Sequence, residues 1–222
     1  MRDGMGQCKV RMVWKKQGKN MTNIKLCGLS RMEDIRAANA LHPDYIGFVF
    51  APKSRRFVSA QTAKILKQSL SPNILAVGVF VDAPLQTVAA LLCEGVIDLA
   101  QLHGTEDETY IAQLRSLTDK PLIQAFCVKT TREVQLAEQS SADFILLDAG
   151  AGSGTVFNWD WLCTIQRPYF LAGGLDASNV REAIRTLHPF AVDVSSGIEY
   201  NHKKDLRKMT AFVDAVRKED NL

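Results

Sequence analysis

The sequence predicts an α/β fold, a (β/α)8 TIM barrel in a single domain. Short apolar runs bounded by turn residues alternate with longer helical stretches from Asn23 onward, the order that yields parallel strands joined by crossover helices. There are eight such runs, one complete circuit of a barrel. A length of 222 residues with 46% hydrophobic side chains suffices for one large core. A doubly wound open sheet is the alternative, and it needs no matched count of eight.

Taken in order, the first strand is Ile24–Cys27, followed by a helix over Met32–Leu41 whose early acids, Glu33 and Asp34, complement the positive end of the helix dipole. The second strand is Tyr45–Phe50. The third, Ile74–Val81, is also the longest unbroken apolar stretch and far too short to span a membrane. Ile97–Leu102, Leu122–Phe126, Phe144–Leu147, Tyr169–Ala172 and Ala191–Val194 complete the set. Between the last two lies a helix over Ser178–Leu187, opened by Asp176. A final helix over Lys204–Lys218 places Leu206, Met209, Phe212, Val213 and Val216 on one face. His42 and His188 stand in two similar passages, Leu41-His42-Pro43 and Leu187-His188-Pro189. Both read as helix stops, a cation at a helix C-terminus followed by proline, on the barrel face opposite the strand C-termini.

Residues 1–22 are expected to lie outside the barrel, which occupies 23–222. The first twenty carry six basic side chains and one acidic, so the rest of the chain holds −2 of the formal +3. They show neither strand alternation nor a helix period, and read as a disordered extension, a cloning remnant, or sequence upstream of a true initiator at Met21. The nearly neutral remainder gives no footprint for nucleic acid. No apolar N-terminal segment resembles a secretory signal. Five cysteines, none in a Cys-x-x-Cys, argue against a disulfide framework or zinc knuckle and for a reducing, cytoplasmic setting. The four histidines show no ligand spacing, so no metal is expected.

The chemistry concentrates at strand C-termini, the face where such barrels build active sites. Cys27 closes the first strand and Asp148 the sixth. A thiol and a carboxyl on one face can serve as one base and one acid. The thiol needs a nearby cation or helix N-terminus to depress its pKa, and the carboxyl needs desolvation or a nearby anion to raise its own. Cys93, Cys127 and Cys163 read as inert packing, although Cys127 falls just past a strand end. Lys53-Ser54-Arg55-Arg56 follows the second strand, and one planar guanidinium there suits a substrate carboxylate. Arg56 is expected inward and Arg55 solvated. His103 ends the fourth strand and is a candidate substrate contact. Three glycine-bearing loops follow the last three strands: Gly152-Ser153-Gly154, Gly173-Gly174 and Ser195-Ser196-Gly197. Backbone N–H groups there can approach a phosphate closely, with serine hydroxyls as further donors. The Gly-Lys-Ser/Thr of a nucleotide P-loop does not occur.

These residues resemble a known family, phosphoribosylanthranilate isomerase of tryptophan biosynthesis. The likeness rests on Lys25-Leu26-Cys27-Gly28, Gly47-Phe48-Val49-Phe50, Ser54-Arg55-Arg56-Phe57-Val58, Gln101-Leu102-His103-Gly104, Leu146-Leu147-Asp148, Leu171-Ala172-Gly173-Gly174-Leu175 and Asp193-Val194-Ser195-Ser196-Gly197-Ile198-Glu199, in the family's order and spacing. The resemblance implies a cofactor-free Amadori rearrangement of N-(5-phosphoribosyl)anthranilate to 1-(2-carboxyphenylamino)-1-deoxyribulose 5-phosphate. It implies Asp148 as the acid that protonates the furanose oxygen and Cys27 as the base that removes the C2 proton. Arg56 would hold the anthranilate carboxylate and the three glycine loops the phosphate. Monomer and homodimer both suit such a barrel. The stretch Ala151-Gly152-Ser153-Gly154 departs from the family's Gly-Gly-Thr-Gly: Ser153 keeps the hydroxyl, and Ala151 must avoid positive φ. Asn158, where the family has Asp, still suits a helix N-cap. Two rivals are the sister isomerase of histidine biosynthesis, which resembles paired half-barrels with an acidic residue where this chain has Cys27, and a barrel that only binds a phosphorylated metabolite.

Overall fold

The computed structural model describes residues 21–148 and 159–221. Eight parallel strands close into a barrel: β1 (Asn23–Cys27), β2 (Tyr45–Val49), β3 (Leu75–Phe80), β4 (Leu99–Leu102), β5 (Leu122–Cys127), β6 (Phe144–Asp148), β7 (Tyr169–Ala172) and β8 (Ala191–Val194). Each pairs with the next, and β8 returns to β1 with Ile24 opposite Val192. The helices are α1 (Met32–Leu41), α2 (Ala60–Gln68), α3 (Leu85–Cys93), α4 (Glu108–Arg115), α5 (Thr131–Gln139), α6 (Val180–Leu187) and α7 (Leu206–Asp220). Between β6 and β7 the described residues hold a 3-10 turn, Trp159–Thr164, in place of an α-helix. After β8 comes a short hairpin, β9 (Glu199–Tyr200) and β10 (Lys203–Lys204), whose turn residues Asn201 and His202 are both left-handed, φ 47° and 62°.

The eight expected strands are the eight observed. Asp176 does not open α6 directly: its carboxylate accepts from the Ser178 amide while Asn179 Oδ1 accepts from the Asp176 amide, a turn that delays the helix to Val180. The last helix starts at Leu206 because Lys203 and Lys204 are used in the hairpin and Asp205 caps it, accepting from the Lys208 amide. Its end ties back to the first strand, with Arg217 donating to the Thr22 carbonyl at 2.8 Å and Asp220 accepting from the Thr22 amide at 2.9 Å. His42 and His188 end α1 and α6 in the left-handed conformation, φ 50° and 44°.

Strands buried on both faces split their side chains between two cores. Outward residues such as Ile24, Leu26, Ile46, Phe48, Ile145 and Leu147 pack against the helices. Inward, the N-terminal end of the barrel is plugged by Tyr45, Val77, Leu99, Ile123, Phe144 and Phe170. The Phe144 and Phe170 rings meet edge to face at 5.8 Å, and Tyr45 meets Phe170 at 5.3 Å. Above this plug the filling changes from apolar to polar, and there the site begins. No helix of the described residues is long and apolar enough to cross a membrane.

Candidate active site

On β1, Lys25 and Cys27 point into the barrel two residues apart. Cys27 is buried beside Val49 and Val79. Gly47 on β2 makes its room: a Cβ there would stand 2.7 Å from the sulfur. Gly28, at φ +79°, turns the chain out of β1, and its missing side chain leaves the space that the Arg56 side chain crosses. Asp148 ends β6 with its carboxyl 28% exposed, so it opens on the same face as Cys27.

A line of polar groups crosses the barrel between them. Asp193 on β8 accepts from Lys25 Nζ at 2.8 Å, and the same ammonium donates to Gln101 Oε1 at 2.8 Å. Gln101 Nε2 lies 2.7 Å from His103 Nδ1, and His103 Nε2 lies 3.6 Å from Asp148 Oδ2. An ammonium can only donate, so it takes the amide oxygen of Gln101 and turns the NH2 group toward the histidine. Nδ1 is then the acceptor, and the proton of the neutral ring is assigned to Nε2, facing Asp148. The other oxygen of Asp193, Oδ1, is buried with no hydrogen-bond partner among the described residues.

Burial works against the Lys25 charge, but Asp193 and then Cys27 more than offset it, so the lysine is held a cation above its usual range. For Cys27 burial dominates and pushes the thiol up; Lys25 pulls it down, Asp193 pushes it up, and Lys204 pulls it down again. The expected depression of this thiol is therefore not what the site produces. The cations are present, but their pull is smaller than the cost of a thiolate in a dry barrel.

A second cluster caps the site beside β1. Arg56 is turned inward with its side chain 22% exposed, against 51% for Arg55. Glu199 takes Arg56 bidentately, from Nε at 2.6 Å and Nη2 at 2.9 Å, leaving the edge that bears Nη1. Lys204 donates to Glu199 at 2.8 Å and to the Ser195 carbonyl at 2.8 Å. Burial alone would raise the Glu199 pKa, but the hydrogen bonds from Arg56 and Lys204 reverse that and hold it down at about 2.

Of the phosphate-loop residues, Gly173 and Gly174 are both left-handed, φ 95° and 65°. A Cβ on Gly197 would strike the Leu175 carbonyl, so the loops after β7 and β8 touch backbone to backbone. Ser196 is exposed, whereas the Ser195 hydroxyl is already engaged, donating to the Cys27 carbonyl at 3.1 Å. Gly152, Ser153 and Gly154, with Ala151 and Asn158, lie outside the described residues. Cys93 and Cys127 are exposed, which corrects the reading of both as buried packing: each is the final residue of its element, Cys93 of α3 and Cys127 of β5. The Cys163 side chain is outside the description. Among the described residues no group of three metal-ligating side chains converges. Two concavities lie elsewhere, one of about 330 Å³ between α1 and α7 and one of about 1240 Å³ at the N-terminal barrel face.

Lys25, Gln101, Asp193, Glu199 and Lys204 are the functional candidates to which sequence reasoning gave no role. For the first three a signal existed: each is a polar letter at an inward position of an otherwise apolar strand.

A closed parallel barrel with a thiol and a carboxyl at the strand C-termini, an inward arginine and paired glycine loops defines a (β/α)8-barrel enzyme with acid–base groups. The model of the N-(5'phosphoribosyl)anthranilate (PRA) isomerase family matches residues 24–215. An N-(5'-phosphoribosyl)anthranilate isomerase from Endomicrobium trichonymphae is 42% identical over 202 residues, covering 89% of this chain and 99% of its own. The crystal structure of phosphoribosyl anthranilate isomerase from Thermotoga maritima superposes with a TM-score of 0.83 at 32% identity, over 89% of this chain and 100% of that one. A second phosphoribosyl anthranilate isomerase structure, in complex with reduced 1-(o-carboxyphenylamino)-1-deoxyribulose 5-phosphate, superposes with a TM-score of 0.78 at 32% identity, over 89% and 100% of the two chains. The chain belongs to the phosphoribosylanthranilate isomerase family.

Proposed function

We propose that Cys27 and Asp148 divide the proton transfers of this family's reaction, the Amadori rearrangement of N-(5-phosphoribosyl)anthranilate in tryptophan biosynthesis. Asp148 donates a proton to the furanose oxygen; the bond from C1 to that oxygen breaks, and the anilino nitrogen becomes a Schiff base. Cys27, as thiolate, removes the proton from C2, and the C2–H electrons form the enolamine. Protonation at C1 and loss of the 2-hydroxyl proton give the ketone. His103, with Nε2–H toward Asp148, orients the carboxyl, and the free edge of Arg56 grips the anthranilate carboxylate. Gly173, Gly174, Ser196 and Gly197, with Gly152, Ser153 and Gly154, hold the phosphate. Residues 23–222 form the catalytic unit, acting in the cytoplasm on a small phosphorylated substrate, as monomer or homodimer.

The observation that supports this best is the pairing of Cys27 and Asp148 at one end of the barrel, bridged by Lys25, Gln101 and His103. The test is loss of anthranilate-type fluorescence from the substrate. Wild-type protein turns it over, and Cys27→Ser and Asp148→Asn each lower kcat ~10²–10⁴-fold with KM little changed. Undiminished turnover in either variant removes that residue from its role. A protein that binds a phosphorylated product analogue without any turnover is the metabolite-binding barrel instead.

A further inference from the structure

We propose that the buried Lys25 ammonium eases formation of the proton-accepting thiolate of Cys27, a positioning role exerted through the sulfur without contact with substrate. It deepens the reading of Cys27 as base and rests on it.

Lys25 has no exposed surface, so no ligand reaches it. An ammonium has three N–H donors. Two go to Asp193 and Gln101 at 2.8 Å each, and Cys27 is the next inward side chain on the same strand, within reach of the charge. The lysine stands on β1 and its two partners on β8 and β4, so the barrel wall itself fixes where the charge sits.

A role in stability alone does not account for this group. The middle layers of such barrels are ordinarily filled by branched aliphatic side chains, and a buried ion pair commonly adds nothing over a hydrophobic replacement. Here the pair even leaves Asp193 Oδ1 buried without a partner among the described residues. What the arrangement does provide is a cation at the one position in the layer next to a thiol.

The charged groups facing Cys27 come from several elements: Lys25 on its own strand, Asp193 on β8, Lys204 on β10 and Arg56 in the loop after β2. Lys204 and Arg56 are both engaged by Glu199, which offsets part of their field. From β2 and β3 the neighbours are Val49 and Val79, which carry no charge. Across the barrel His103 and Asp148 face the same cavity. Lys25 is thus the cation that shares the sulfur's own strand and inward face.

The test uses full-length protein in which Cys8, Cys93, Cys127 and Cys163 are serine, so that thiolate ultraviolet absorbance reports Cys27 alone. Lys25→Gln combined with Asp193→Asn removes the cation while leaving a neutral hydrogen-bonding pair in its place. The thiol of this double variant titrates at higher pH than in its parent. Its kcat at neutral pH falls roughly tenfold per unit of that shift and recovers as pH rises, with KM within about twofold. Asp193→Asn alone removes the anion that opposes the thiolate, and its thiol titrates at lower pH; this arm stands if the double variant does not fold. Titration of the double variant together with its parent, or an upward shift in Asp193→Asn, overturns the proposal and leaves Lys25 as the counter-ion of Asp193. Failure of the underlying reading is separate: it appears as full turnover in Cys27→Ser.

Discussion

At the scale of single residues, the site turns on how one sulfur is charged. Cys27 is close to cations and yet held above the ordinary thiol range, because burial outweighs them. A base of that kind is mostly protonated at neutral pH, so log kcat/KM should climb with pH along a single-proton limb that levels off only above the ordinary thiol value of ~8.5. Steady-state rates across neutral to alkaline pH measure this. A plateau already reached at pH ~7 contradicts it, and Cys27→Asp should move the limb to acid pH if the side chain is the titrating group. Cys27 and Asp148 were legible in the sequence because each ends a largely apolar run with an ionisable side chain at the strand C-terminus. Lys25 stood out as a polar letter in an apolar strand, but its role was not legible until the registers of β1, β4 and β8 showed that it meets Gln101 and Asp193. Glu199 was hidden for a related reason, since its partner Arg56 lies 143 positions away.

At the scale of elements, the strands were the easiest part to read. In a barrel every strand is buried on both faces, so each shows as a compact apolar run between turn residues. Helix starts were less legible, because Asp176, Ser178 and Asn179 bond one another before α6 begins. The 3-10 turn Trp159–Thr164 stands where a helix was expected. The two Leu-His-Pro passages do what they promised: both histidines end a helix, and the amides of His42 and His188 close on Ala38 and Ile184 at 2.9 Å. They do so at a strained positive φ, which glycine adopts freely. His42→Gly and His188→Gly should each stabilise the fold by about 1 kcal/mol, read as a higher urea midpoint at unchanged slope, with kcat unaffected. A lower midpoint would show that the imidazoles make contacts worth more than the strain.

At the scale of the whole molecule, closure couples the site to the fold. The hairpin after β8 carries Glu199 and Lys204 back over β1 and ties Arg56 to the barrel rim. Glu199 titrates at about 2 in the folded chain, below the ordinary ~4.3 of an unfolded glutamate. A depressed carboxyl stabilises the fold above the unfolded value and loses that contribution as pH falls through the folded one. Wild-type stability should therefore drop between pH ~4.3 and ~2 by an increment that Glu199→Gln lacks, the variant being weaker at neutral pH and less acid-sensitive. Urea titrations at several acid pH values check this, and parallel pH dependences would contradict it. The division of labour between β1 and β6 is tested most directly by placing deuterium at C2 of N-(5-phosphoribosyl)anthranilate and measuring the isotope effect on kcat in both site variants. Cys27→Ser, slowed at C2 proton removal, should show a full primary effect, and Asp148→Asn, slowed at ring opening, should show almost none. The opposite pattern, or the same effect in both, would contradict the assignment of Cys27 as base and Asp148 as acid.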